Sequence, residues 1–421
     1  MINNNRIISQ QPTANSQQPT ANSQQPTANS QQPTANVLIA FIKRCIKRIV
    51  RILFALIVPS RKIILYESYP DFTDNTYPVY LKLKELMPDY KHIWFIHRGM
   101  IHKEADGLIY SGKTLCERIK YCYYMARCKA LVHCNEAHKK FKSSQLSVYL
   151  SHGSPIKAAS VANLISGRID YACIQSHFFD NLAAKSWMNG KPEQFIYTGF
   201  PRCDYFYAKT KRKEINEIAN GKYIIWLPTF RIHKSKTRDD APGSVFNHIG
   251  VPLFYDIQSL REFNEFLREQ NIHIVYKPHF AQDMDIVKRE TLSNFHMIYD
   301  ADILGRNLQL YEVIAQSEAL ITDYSSVFWD YLLLDRPIAL TVDDIESYRR
   351  GMGFAVDFDL ISSETSERLY DSKSLREFIM NVLNGNDIMR EGRRKWCDIA
   401  NMHQDGKSAE RTAEFIKSML E

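Results

Sequence analysis

The chain has 421 residues, of which 45% are hydrophobic, 12% aromatic and 24% charged, enough apolar mass for more than one large core; wholesale disorder, collagen and a small disulfide scaffold are excluded. Eight scattered cysteines with no CxxC pair, and no cleavable signal sequence at the start, argue against a zinc cluster or a secreted bridge framework and for reduced thiols in the cytosol. The net charge of +7 comes from 54 basic and 47 acidic side chains, and Lys43, Arg44, Lys47, Arg48, Arg51, Arg61 and Lys62, with no acid among them, account for all of the excess. Basicity this local speaks against a nucleic-acid surface and for a local anionic partner.

Residues 10–36 repeat Gln-Gln-Pro-Thr-Ala-Asn-Ser three times and add Gln-Gln-Pro-Thr-Ala-Asn. With a proline in every unit and no large apolar residue, the tract builds neither core nor coiled coil, and a disordered tail is expected over 1–36. The nucleotide string CAACAGC, read through three frames, encodes this heptapeptide. A seven-base repeat that slips would shift the frame and silence the gene, a phase-variation switch suited to a bacterial surface structure. Duplication of a longer block in a tolerant terminus is the plain alternative, and codons that break the seven-base period would exclude the switch.

Residues 37–60 follow, apolar but for their cations and closed by Pro59. At helical spacing Lys43, Lys47 and Arg51 fall in one row with Arg44 and Arg48 beside it, and the apolar residues lie on the other faces. Five cations at about 2.5–3.5 kcal/mol each at mid-bilayer oppose a spanning helix. An amphipathic helix lying on an anionic membrane fits, as does a helix packed on protein with its cations solvated.

From Lys62 the pattern changes to short apolar runs alternating with helical stretches. Residues 63–66, 92–96, 130–133 and 147–150 read as buried parallel strands, with helices over 76–86 and 114–126. The alternation restarts near residue 205, with strands over 223–227, 273–277, 297–299, 319–323 and 338–342 and helices over 259–270, 308–317 and 326–334. The expectation is α/β: two Rossmann-like units, over 61–205 and 206–421, with a ligand between the carboxyl ends of their sheets.

Five polar clusters stand at the predicted strand ends: Ser151-His-Gly-Ser-Pro-Ile-Lys157, Thr198-Gly-Phe-Pro-Arg-Cys-Asp204, Leu227-Pro-Thr-Phe-Arg231, Tyr276-Lys-Pro-His279, and Thr322-Asp-Tyr-Ser-Ser326 running on to Asp330. Cations, hydroxyls and turn residues after an apolar strand are what a phosphate site needs. Each alone has a plainer reading: Ser325 and Ser326 as helix caps, Arg202, Arg231 and Lys277 as surface cations, His152 as a structural histidine. Their recurrence favours a site, in which His152 takes a proton from an incoming hydroxyl and His279 serves as a second acid/base or a phosphate donor. Ser154 lacks the GxSxG elbow of a hydrolase. Asp283-Met-Asp285 has the spacing of a metal-binding DxD, but no metal or other cofactor is expected where cations and a helix N-terminus can supply the positive charge.

Taken in order, these clusters resemble the boxes of the CDP-glycerol glycerophosphotransferase family, the teichoic-acid primase and polymerase type: HGSPIK its HGTPxK box, GFPRCD its GxPRxD box, LPTFR its APTWR box, KPH its KxHP-like box and TDYSSVFWD its TDYSSxxxD box. Tyr348 to Gly351, and Asp405-Gly406 with Arg411, are weaker matches. The resemblance spans about residues 63–416 and implies a GT-B fold, its two domains facing across a cleft and the last helix able to pack back on the first. It implies transfer of a phosphopolyol from a CDP-linked donor, CDP-glycerol or CDP-ribitol, to an acceptor hydroxyl; with the basic helix, the expected setting is a glycan or lipid-linked acceptor at the cytoplasmic face of the bacterial inner membrane. Carried over, His152 is the general base. Arg202, Arg231, Lys277 and His279 surround the donor phosphates, and Ser325 and Ser326 hold the pyrophosphate on a loop shaped by Thr322 and Asp323. Gly153, Pro155, Lys157, Asp204 and Asp330 support them. Ser154, Phe230 and Phe280 replace the family's threonine, tryptophan and proline, and a PGP segment is missing. A GT-B glycosyltransferase using a sugar nucleotide and an inactive membrane-anchored scaffold are the alternatives.

Overall fold

The computed structural model describes residues 33–97, 105–110, 114–158, 165–185, 188, 191–229, 249–279 and 282–421. The repeat tail up to residue 32 and Arg231 lie outside them. The first helix, Pro33–Ile57, begins before residue 37, with Pro33 at a position where its missing N–H costs nothing.

Seven strands form the first sheet: β1 Ile63–Glu67, β2 Lys91–Ile96, β3 Gly107–Tyr110, β4 Ala130–His133, β5 Leu146–Tyr149, β6 Tyr171–Cys173 and β7 Phe195–Ile196. Six form the second: β8 Tyr223–Trp226, β9 His273–Tyr276, β10 Phe295–Met297, β11 Ala319–Thr322, β12 Ile338–Thr341 and β13 Glu367–Leu369. The orders are β3-β2-β1-β4-β5-β6-β7 and β10-β9-β8-β11-β12-β13, and the strand pairs are parallel, as in β1 with β4 and β8 with β11. Strands such as Ile63–Glu67 are buried throughout because both faces of a parallel sheet are covered, hence apolar runs such as Ile63-Ile-Leu-Tyr66.

In both sheets the strand order reverses direction at one place, between β1 and β4 and between β8 and β11. Crossover connections leave to opposite faces there and open a crevice at the carboxyl ends. One apolar core runs from the first sheet (Tyr66, Val148) into the second (Ile225, Leu320), so the domains share a packed interface.

Some elements differ from their sequence expectation. The strand expected at 297–299 ends at Met297, because Tyr299 is already the cap of the helix Asp300–Gly305. The helix expected over 308–317 is only Leu310–Ile314: Asn307 is left-handed, and the Gln309–Glu312 capping box starts the helix late. The final helix, Ser408–Leu420, returns to the first domain beside the helix Thr76–Leu86. There the ring of Phe415 meets Tyr171 edge-on at 4.9 Å.

Candidate active site

His152 follows β5 on a bent loop, with Ser151 left-handed at φ 59° and Gly153 at φ 146°. Asn75, just past β1, holds the bend: its Nδ2 donates to the carbonyls of Leu150 at 3.2 Å and Ser151 at 2.7 Å. His152 keeps an exposed surface although protein packs densely around it. Its Nδ1 lies 3.2 Å from Tyr149 Oη and 3.4 Å from the Cys134 carbonyl. Loss of surrounding water holds the His152 pKa below its ordinary value; Arg202 and Lys157 act the same way, and Asp74 opposes them.

Arg202 stands between the two sheets. It is 4% exposed. Its Nη1 donates to Asp74 and to the His152 carbonyl, both at 2.9 Å, and its Nη2 to Asp330 at 2.7 Å. Tyr311 Oη also donates to Asp330, and Gln175 Nε2 bonds its other oxygen at 2.8 Å. Burial works against the guanidinium's charge, but Asp330 and Asp74 outweigh it and hold Arg202 protonated. Expected to surround the donor phosphates, Arg202 here has its terminal nitrogens engaged by two carboxylates and a carbonyl, and it ties the His152 loop to the helix Val327–Tyr331 that carries Asp330. Lys277, after β9, likewise pairs with Asp300 at 2.9 Å.

At the second sheet's reversal point, Asp323 Oδ2 accepts from Thr229 N at 2.8 Å and Thr229 Oγ1 at 2.9 Å. Thr322 Oγ1 donates to the Leu227 carbonyl at 2.7 Å. Thr322 and Asp323 are fully buried, so of this box Ser325 and Ser326 are the half-exposed side chains at the helix start. His279 is half-buried at the neighbouring rim.

The two loops meet. A Cβ on Gly153 would lie 2.1 Å from Ser326 Oγ. Beyond Pro155 the same loop pairs with the second domain, Lys157 bridging Phe354, with Ala158 N bonded to the Gly353 carbonyl at 3.0 Å and Ala355 N to the Ile156 carbonyl at 2.8 Å. Asp204 is not in this group: its carboxylate accepts from Ser408 N at 2.9 Å and Ala409 N at 2.8 Å, capping the final helix.

A model of the CDP-glycerol:poly(glycerophosphate) glycerophosphotransferases matches residues 50–418. The chain belongs to this family. It is 24% identical over 410 residues to the teichoic acid ribitol-phosphate primase of Bacillus spizizenii, covering 88% of this chain and 94% of that one. To the teichoic acid glycerol-phosphate primase of Bacillus subtilis it is 24% identical over 296 residues, 70% of this chain and 68% of that one. The wall teichoic acid polymerase TagF superposes with a TM-score of 0.69 at 20% identity, over 92% of this chain and 97% of that one, which shows the GT-B fold.

Within this transferase, sequence reasoning missed Asp74, Asn75, Tyr149, Thr229 and Tyr311, which hold the expected residues in place. Asp74 and Asn75 carried a usable signal, an Asp-Asn pair between a buried strand and the helix Thr76–Leu86. Tyr311 carried none, since its partner lies 19 positions away.

Proposed function

We propose that this transferase moves a glycerol-phosphate or ribitol-phosphate unit from a CDP-linked donor to an acceptor hydroxyl, releasing CMP, during assembly of a bacterial surface polymer. The acceptor oxygen attacks the β-phosphorus in line with the departing CMP oxygen, and the hydroxyl proton passes to His152, a step worth about 10²- to 10⁴-fold. Ser325, Ser326, Lys277 and His279 face the donor's phosphates. Arg202 acts one layer behind, keeping the base loop and the serine loop in register. The observation that carries this reading is the contact of Gly153 with Ser326, since it brings an imidazole and a hydroxyl-lined helix start into one cleft from opposite domains.

The full chain incubated with CDP-glycerol, CDP-ribitol and a UDP-sugar in turn should release CMP from one of the first two; release of UDP alone overturns the reading. His152→Ala should bind the CDP-polyol and fail to transfer.

The enzyme works on an anionic membrane surface, peripherally and on its cytoplasmic side. Among the described residues no helix is long and apolar enough to cross a membrane. Ile42, Ile46, Ile49, Leu53 and Leu56 recur at helical spacing on Pro33–Ile57 and are exposed, Leu56 by 77%, with Lys47 and Arg48 also exposed. The helix Leu115–Arg127, which packs beside it, also carries exposed Leu115, Ile119 and Tyr123. Apolar side chains beside cations suit the boundary between headgroups and acyl chains.

A further inference from the structure

Among the described residues no carboxylate lies at hydrogen-bond distance from His152 Nδ1; its neighbours there are the Tyr149 hydroxyl at 3.2 Å and the Cys134 carbonyl at 3.4 Å. A carbonyl oxygen accepts and never donates. A bare Nδ1 facing it would set lone pair against lone pair, whereas a protonated Nδ1 donates to it with Tyr149 Oη as a second acceptor. The proton therefore belongs on Nδ1, and the ring's free lone pair on Nε2.

We infer that Tyr149 and the Cys134 carbonyl are positioning groups that fix His152 in its Nδ1–H tautomer, making Nε2 the atom that takes the acceptor's proton. This rests on His152 being the base. The frame around the ring is firm: Tyr149 ends β5 and is buried, Asn75 ties down the two carbonyls before His152, and Arg202 holds the carbonyl of His152 itself. A phenol and a carbonyl carry no charge, so they orient the ring without drawing the proton that a facing carboxylate would draw. The charged groups acting on the ring are Asp74, which favours imidazolium, and Arg202 and Lys157, which oppose it. The base thus stays neutral near pH 7. Once Nε2 is protonated, Nδ1–H goes on donating, and the two oxygens share the imidazolium's charge.

The wild-type chain tests this first. With ¹⁵N-histidine labelling at a pH where His152 is neutral, and its signals assigned by loss in His152→Gln, Nδ1 should be the protonated nitrogen; protonated Nε2 overturns the inference. Tyr149→Phe then removes one hydroxyl at constant shape. It should lower kcat about tenfold, as loss of one hydrogen bond does, leave KM for the CDP-polyol within about twofold, and move the acid limb of the kcat profile to lower pH, because an acceptor that stabilises imidazolium is gone. An unchanged kcat with a superimposable profile overturns the role of Tyr149. If Tyr149→Phe does not fold, the wild-type tautomer decides. Unimpaired transfer by His152→Ala overturns the base assignment itself and this inference with it, a result distinct from a silent Tyr149→Phe.

Discussion

Gly153 and Ser326 touch across the cleft between the two domains, and glycine is what permits it: a Cβ would stand 2.1 Å from Ser326 Oγ and 2.6 Å from its Cβ. The backbone there, at φ 146°, is one that L side chains rarely adopt. Gly153→Ala therefore carries about 1–3 kcal/mol of strain and forces the base loop away from the serine loop. A displacement near 1 Å at a reacting pair costs about 10²-fold in rate. Steady-state CMP release should fall by that order while the melting temperature drops modestly; wild-type turnover in Gly153→Ala would show that the contact is not needed.

Asp330 supplies one end of the buried strut and Arg202 the other. Burial pushes the Asp330 carboxyl up from the usual carboxylate range, against the pull of Arg202 and Tyr311. Asp330→Asn removes the charge that faces Arg202 Nη2, and breaking one side of a buried pair costs about 3–5 kcal/mol. Tyr311→Phe removes one hydrogen bond to the same oxygen and should cost about 1 kcal/mol. Urea unfolding of both variants reads the difference directly, and equal losses would show that the ion pair contributes no more than the hydroxyl.

The strands were the legible part of this fold, for a local reason. A parallel strand buried on both faces must be apolar at every position, so runs such as Ala319-Leu-Ile321 stand out. Phe195–Ile196 and Glu367–Leu369 are too short to show a pattern and take their identity from the neighbour they pair with. Loops that end strands also announce the rim of a cleft, and the motifs holding His152 and Ser326 stand on two such loops, which the fold brings together. What an Arg does at that rim is not local. Arg202 reads as a phosphate ligand until Asp74 and Asp330, each 128 positions away, are seen to flank it. In the same way Asp204 reads as a site residue until the final helix, 204 positions on, is found resting on it.

With His152 as the proposed base, the pH dependence of transfer follows from its environment. Its folded pKa lies below 6.5, lowered first by desolvation. A base acts in its unprotonated form, so it is ready at pH 7, and activity is lost as pH falls through the depressed value. A profile of kcat/KM between about pH 5 and 9 should show an acid limb with its midpoint below 6.5. A midpoint above 7 would mean that a different group sets the limb.

The proposed membrane attachment turns on the exposed stripe of the first helix. Leu53 and Leu56 are 49% and 77% exposed, one helical turn apart, on the row that also holds Ile46 and Ile49. Burying a leucine gains about 1.5–3 kcal/mol, so changing both to glutamate should weaken adsorption by about 10²-fold or more, and the added negative charge repels anionic headgroups besides. Flotation of the full chain with phosphatidylglycerol vesicles should show binding at low salt. That binding should decline as salt screens Lys47 and Arg48, and it should be lost in Leu53→Glu/Leu56→Glu. Neither leucine is among the residues that hold the cleft together, so CMP release with a soluble acceptor should be unaffected. Equal flotation of variant and wild type would place the anchoring surface elsewhere on the molecule.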